Sequence, residues 1–590
     1  MQNPLEFYSN QLDTNNAKVR KLFKTLSLYS LLRLSIFVGT GVGIYFTFNH
    51  WKIALAISII GTTIFLILLS KYTDLKVERA RYKRLVKIND EELQIASGNF
   101  HDREDGSEYQ NPKHFYSLDI DLFGKGSFFQ FINRTTIKEG THKLVHSLLA
   151  NNISDIKKRQ NAIKELAEKP IWRQNYSAIA QGVTVEHSAE SIIKWLKSYT
   201  PFLNKIWFYI TVLFSLLSLV FFVLAVAEIM PIAYFGYWLL LGLGLTGRFL
   251  KRINNVSLYT SKAKETFRQY AQLLSAIENI AFKSELLREQ QYKIESEGKK
   301  ASEIFSKFSK YIDALDNRNN LISAIFGNGY FLWDIRQTYY IEQWINTYAH
   351  KVEDWFEVVT FFDAYNSLGN YAFNHQEFTY PKILDSEHTI FAKDLGHPLL
   401  NSEKRVDSDL ELKQEQFFIV TGANMAGKST FLRTVALHIV MANVGLPVCA
   451  KESKYKPIKL ITSMRTTDSL TDDSSYFFSE LTRLKFVVDT IEKDNNYFII
   501  LDEILKGTNS TDKAIGSRKF VEKLVKLNAT GIIATHDLSL TEIESELKAV
   551  KNYFFDAQIV NDELFFDYKL KQGICQNMNA SFLLKKMEIV

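Results

Sequence analysis

The sequence predicts a multidomain chain with a largely α-helical core, interrupted by transmembrane helices and followed by an α/β domain on a parallel sheet. Three observations carry this expectation. The chain is too long for one core, it holds two pairs of long apolar runs, and its texture changes near Gln416 to short β-branched runs alternating with helical segments.

The 590 residues exceed the roughly 250–300 at which a single core stops growing. Lys and Arg number 71 against 65 Asp and Glu, and the net +6 is too small over this length to imply nucleic acid by itself. Two cysteines, Cys449 and Cys575, exclude a disulfide-stapled scaffold and a cysteine-built zinc site. With 46% hydrophobic residues and 9 prolines the composition excludes extended disorder and favours long helices.

Leu28 to Phe48 carries one charge, Arg33, and Ile53 to Ser70 carries none. Each approaches the ~20 apolar residues of a membrane helix, so the pair reads as a transmembrane hairpin. Arg33 lies near the start of its run, where a long side chain can snorkel to the headgroups. Ile206 to Val226 and Pro231 to Gly247 form a second pair, with Ala227 to Met230 between them. Lys18, Arg20, Lys21 and Lys24 precede the first hairpin and seven basic residues from Lys71 to Lys87 follow it; Lys205, Arg248, Lys251 and Arg252 bracket the second. The positive-inside rule then places both hairpin loops outside and the rest in the cytosol of a multi-pass cell-membrane protein. Ser261 to Asn317 has no proline and mixed charges, as expected of long solvated or antiparallel helices.

After the run Phe417 to Val420 comes Thr421-Gly422-Ala423-Asn424-Met425-Ala426-Gly427-Lys428-Ser429-Thr430, which fits G-x-x-x-x-G-K-[ST] between a strand and the helical Phe431 to Ala442. Gly422 and Gly427 let backbone N–H groups close round phosphate at a helix N-terminus; Lys428 would reach the β/γ-phosphates of ATP, and Ser429 would ligate Mg²⁺. Downstream, the apolar strand Tyr497 to Leu501 ends in Asp502 and Glu503. Asp502 would hold the Mg²⁺ hydration shell, and Glu503 would orient or deprotonate the attacking water. The next strand, Gly531 to Ala534, ends in Thr535-His536, which places an imidazole at the same sheet edge, where it could sense the γ-phosphate.

These residues resemble the ATPase domain of the MutS family of DNA mismatch-repair proteins. Thr421 to Thr430 is similar to T-G-P-N-M-x-G-K-S-T, Leu501 to Ser510 to the D-E-x-x-R-G-T segment, and Thr535-His536 to its T-H. Ser474 to Leu481 is similar to S-T-F-x-x-E-M, so the resemblance implies that Ser475 meets the nucleotide of the opposite subunit in a homodimer. Asp121 to Thr136, Arg159 to Ile163, Phe362 to Leu368 and Gly396-His397-Pro398 extend the likeness thinly into the helical core. The expected division is a cytosolic segment 1–25, hairpins 26–70 and 206–247, a core start 71–205, a core and lever 248–385, and an ATPase domain 386–590.

The departures bear on function. A membrane hairpin occupies the place of the mismatch-reading domain, and no long basic clamp is evident. Arg405 stands where the family tends to place an aromatic that stacks on adenine, and its planar cation could stack instead. DNA is therefore a partner implied by resemblance alone. Two rivals remain open, a membrane-tethered assembly or signalling ATPase without DNA and half of an ATP-driven transporter. The second lacks the L-S-G-G-Q signature and has few membrane helices.

Overall fold

The computed structural model describes residues 3–182, 188–296, 298–384, 388–423, 425–465, 476–560 and 563–575. Helices α1 (Pro4–Thr47) and α2 (Trp51–Ala96) form a hairpin of 44 and 46 residues. At ~1.5 Å per residue each is about twice the ~30 Å of a hydrocarbon core. They run past the apolar segments because residues 71–96 contain neither Gly nor Pro to stop the second helix. The apolar parts face outward, with Leu31, Leu34, Phe37, Phe46, Ile59 and Ile67 all more than half exposed. Arg33 packs over the Tyr72 ring, 4.1 Å from its centroid, at the end of the second apolar run. At the opposite end Phe7 and Tyr8 are buried, and Phe7 meets Phe373 edge to face.

Five short helices follow: α3 (Phe128–Ile132), α4 (Lys138–Leu149), α5 (Ile156–Ala167), α6 (Pro170–Ala180) and α7 (Ala189–Ser198). Next come α8 (Lys205–Val226) and α9 (Ile232–Gly247), the second apolar pair. By length and composition α1, α2 and α8 are long and apolar enough to cross a membrane. The second helix of this pair, α9, is apolar and 16 residues long; Pro231 sets its start, and two residues separate it from α10 (Leu250–Glu278). The charged stretch takes the antiparallel form, with Lys264 of α10 against Asp316 and Glu278 against Ser302. A short α11 (Glu285–Tyr292) and the two-residue strands β1 (Glu295–Ser296) and β2 (Lys299–Lys300) separate α10 from α12 (Ala301–Asp316), and Phe267 of α10 packs edge-on against Phe305 and Phe308 of α12. Its charges line the outer side, as in the Arg268–Asp313 and Lys264–Asp316 pairs. Helix α13 (Leu321–Phe331), apolar and 11 residues long, packs on α8 and α9 and was not separated from the helical region by sequence.

The 42-residue α14 (Trp333–Asn374) runs from the α8–α9–α13 unit to the start of the sheets and packs against most of the helices around it. Beyond it, β3 (Lys382–Ile383), β4 (His388–Leu395) and β5 (Ser408–Lys413) join the later β7 (Glu452–Tyr455) in a four-stranded sheet of order β3-β7-β4-β5. The larger sheet uses β6 (Phe417–Gly422), β8 (Lys459–Ser463), β9 (Tyr497–Asp502), β10 (Thr530–Ala534), β11 (Val550–Val560) and β12 (Glu563–Gln572) in the order β12-β11-β6-β10-β9-β8. Its pairs are parallel except β11–β12. Helices α15 (Lys428–Val444), α16 (Tyr476–Lys493) and α17 (Ser510–Lys526) accompany it. Strands β6 and β10 are wholly buried, which explains why they read as continuous apolar runs rather than alternating ones.

Two aspartates of the helical core hold the edge of this sheet. Asp119 accepts from Thr462 Oγ1 at 2.5 Å and from the Arg465 amide at 2.9 Å, and Asp121 pairs with both Arg465 and Arg433 of α15 at 2.8 and 3.1 Å.

Candidate functional site

The site forms where β6, β9 and β10 end side by side. Gly422 closes β6 with φ 149°, and a Cβ there would stand 2.7 Å from the carbonyl oxygen of Phe555. Gly427 opens α15 at φ 104°, a conformation that L-residues rarely adopt. Between them Ala426 is buried and Met425 is 79% exposed with φ 67°, so this loop turns its backbone inward and the Met425 side chain outward. Asn424 lies outside the described residues, while Thr430 lines the cavity beside the loop.

Lys428 is folded back over the loop, donating to the carbonyls of Gly422 and Ala423 at 2.8 and 2.9 Å, with His536 Nε2 3.3 Å away. Burial lowers its pKa. Ser429 Oγ donates to Asp502 Oδ2 at 2.7 Å. Burial pushes the Asp502 carboxyl up, against the Ser429 hydrogen bond, and its Oδ1 is buried with no hydrogen-bond partner among the described residues. A hydroxyl and a carboxylate with an uncommitted oxygen are the hard oxygen donors that Mg²⁺ takes, so the residues present fit that ion.

Glu503 follows with φ 47°, a left-handed backbone that a non-glycine residue holds only where its surroundings enforce it. Its amide donates to the carbonyl of Ala534, continuing the β9–β10 pairing, and its carboxylate meets His536 Nε2 at 2.7 Å and Lys506 Nζ at 3.5 Å. The His536 hydrogen bond, with Lys506 adding to it, outweighs burial and holds Glu503 down to about 2. Lys428, Ser429, Asp502, Glu503 and His536 therefore stand together.

A cavity of about 480 Å³ opens beside them, walled by His397, Arg405, Val406, Lys428, Phe555 and Tyr568. Arg405 reaches it with its guanidinium held by both oxygens of Asp407, at 2.6 and 3.2 Å. Burial, and then Arg433 and Arg405, lower the pKa of His397 to about 4, leaving a neutral ring at neutral pH. Tyr568, like Phe555, is a wall residue that sequence reasoning missed. It lies on β12 with φ 53°, its ring 3.1 Å from where a Gly427 Cβ would sit. A lone Tyr in Asp-Tyr-Lys-Leu-Lys carries no motif, and only the pairing of β12 with β11 brings it to the loop. Ser475 lies outside the described residues; α16 begins at the next position, and its Glu480 accepts from the Lys506 amide at 3.1 Å beside Glu503.

Residues 418–586 match MutS domain V. This C-terminal part of the chain is similar to the corresponding part of MutS proteins. It is 30% identical over 223 residues to the DNA mismatch repair protein MutS of Acetivibrio thermocellus, a stretch covering 36% of this chain and 25% of that one. It is 32% identical over 216 residues to the MutS of Persephonella marina, covering 36% and 24%. Against the human MutS protein homolog 4 it is 31% identical over 225 residues, covering 36% and 23%. The match thus spans about a quarter of the length of these MutS proteins, and it falls on the part of this chain that holds the ATPase-type domain.

Proposed function

We propose that this chain belongs to the MutS family and is a membrane-anchored, Mg²⁺-dependent ATPase of P-loop type that works as a homodimer. The observation that carries the Mg²⁺-ATPase reading is the Ser429–Asp502 pair, with one buried carboxylate oxygen uncommitted, beside a lysine coiled on its own glycine loop. Bound Mg²⁺ would supply positive charge against the phosphates of ATP, whose negative charge the site must neutralise. Lys428 would leave two carbonyls for the β/γ-phosphates, and the amides of 423–429 would hold phosphate oxygens at the N-terminus of α15. Ser429 and Asp502 would hold the metal. A carboxyl at about 2 is a weak base, so Glu503 acts by orienting water, with His536 keeping it ionised. Arg405 and Tyr568, which wall the cavity beside the loop, would pack against the base.

Purified full-length protein should hydrolyse ATP only with Mg²⁺. Lys428→Ala should weaken nucleotide binding, whereas Glu503→Ala should bind ATP and lose roughly 100-fold or more in turnover. Equal loss of binding in both would make Glu503 structural. For the dimer, mixing Lys428→Ala with Ser475→Ala chains should restore activity through composite sites.

On the family reading the partner to which ATP turnover is coupled is DNA. A second reading, assembly or signalling at the membrane without DNA, is favoured by α14, one continuous helix from the apolar α8–α9–α13 unit to the entry of the sheets. A titration with homoduplex, mismatched and branched DNA across salt concentrations separates them.

A further inference from the structure

The short apolar helix α13 has a surface that the helical core does not cover. Leu321, Ile322 and Phe326 are 73, 69 and 51% exposed, and residues 321–333 contain no charge. Soluble surfaces rarely gather large apolar side chains in this way. The patch continues the exposed apolar faces of its neighbours, Leu213, Leu216 and Leu240 among them.

We propose that α13 is embedded in the lipid bilayer beside α8 and α9, as a re-entrant helix that enters one leaflet and turns back at Leu332. This rests on the membrane reading above. Eleven residues at ~1.5 Å each give about half of a ~30 Å hydrocarbon core, too little to span. Lipid is argued by how the backbone ends are satisfied, since carbonyls left over at a helix terminus have no water there. Ser218 Oγ donates to the Tyr330 carbonyl at 2.6 Å, Ser215 Oγ lies 3.5 Å from that of Phe331, and the Leu332 amide, at φ 48°, donates back to Gly327. At the other end the Asn320 side chain accepts from the amides of Ile322 and Ser323. The Trp238 indole donates to Ser218 Oγ at 2.7 Å, and the Asn328 carbonyl oxygen Oδ1 accepts from the Asp334 amide at 2.9 Å. The helices meet through glycine, as close packing in a bilayer favours: a Cβ at Gly242 of α9 would collide with the carbonyl of Gly329. The aromatic rings of Phe235 and Tyr330 stack at 4.2 Å across the same contact.

The test uses the full chain with Cys449 and Cys575 replaced, reconstituted in phosphatidylcholine vesicles, and one environment-sensitive fluorophore placed on Phe326→Cys, on Ile322→Cys or, as reference, on Leu216→Cys of α8. Embedding predicts blue-shifted emission, and loss of most of it with brominated acyl chains, at all three positions. Quenching at Leu216→Cys with solvent-like emission at both α13 positions would overturn the α13 proposal and leave the membrane reading standing. Solvent-like emission at all three would overturn both. Efficient disulfide crosslinking between copies through Phe326→Cys, with no quenching by lipid, would assign the patch to a second chain and overturn it as well.

Discussion

At the residue scale the ionic state of Glu503 follows from one neighbour. Its carboxyl is held at about 2 by the His536 hydrogen bond first, with Lys506 and Lys428 contributing, against burial. A lowered carboxyl stays ionised until the pH falls to its folded value, so Glu503 should not limit turnover above about pH 3. His536→Ala removes the largest lowering influence while burial remains, and the pKa of Glu503 rises. The acid limb of kcat should then move to higher pH, and an unmoved limb would show that His536 does not set this charge. Tyr568→Ala should weaken ATP binding by about 1–3 kcal/mol, the range of a base stacked on an aromatic, with Tyr568→Phe close to wild type. Unchanged nucleotide affinity in the alanine variant would remove Tyr568 from the base pocket. The loop and the acid pair were legible in the sequence because each is a short string at the end of an apolar run. Tyr568 was not, because its meaning depends on a strand partner rather than on its chain neighbours.

At the scale of elements, one buried network fastens the first hairpin to the core. Glu92 of α2 is 4% exposed and meets Arg134 Nε at 2.5 Å, Asn370 Nδ2 at 2.9 Å and Asn374 Nδ2 at 3.0 Å, both asparagines on α14. The Tyr8 hydroxyl of α1 donates to Asn374 Oδ1 at 2.6 Å. Burial would raise the Glu92 carboxyl, yet the Arg134 charge and these hydrogen bonds outweigh it and hold it below its ordinary value. A depressed carboxyl contributes stability that is present above its unfolded value of 4.5 and is lost as the pH falls through its folded one. Glu92→Gln leaves the Arg134 cation buried without its counter-charge and should cost about 3–5 kcal/mol at pH 7. In thermal melts in detergent the gap between the two proteins should narrow as the pH drops below 4.5; a gap that stays constant would mean the carboxylate charge is not what stabilises. None of this network could be read from the sequence, since its members lie up to 366 positions apart. Strands β6, β9 and β10 could be read, because burial on both faces leaves an unbroken apolar string. Helix α13 is shorter than the span that marks a membrane helix and merges into the helical region around it.

At the scale of the whole molecule, hairpin, core and sheet domain are tied to one another, by the Glu92 network at one end of α14 and by Asp119 and Asp121 against β8 and α15 at the sheets. The orientation of this body is an expectation from charge, and it can be tested without reference to ATP or DNA. Seven basic side chains from Lys71 to Lys87 lie on the part of α2 beyond its apolar run, and all of them would have to cross the bilayer if the hairpin were inverted. Within the fold Lys18 lies over Tyr82 and Arg79 over Phe23, so the basic flanks of α1 and α2 meet at the same end of the hairpin and reinforce each other. Single cysteines at Asn49 and Glu228, with Cys449 and Cys575 replaced, should react with an impermeant thiol reagent in intact cells. A cysteine at Ser107, in the exposed turn just after α2, should react only once the membrane is broken. Labelling of Ser107→Cys in intact cells would invert the topology. Release of the whole chain by alkaline carbonate would show instead that the outward-facing apolar side chains of α1, α2 and α8 are covered by protein rather than lipid.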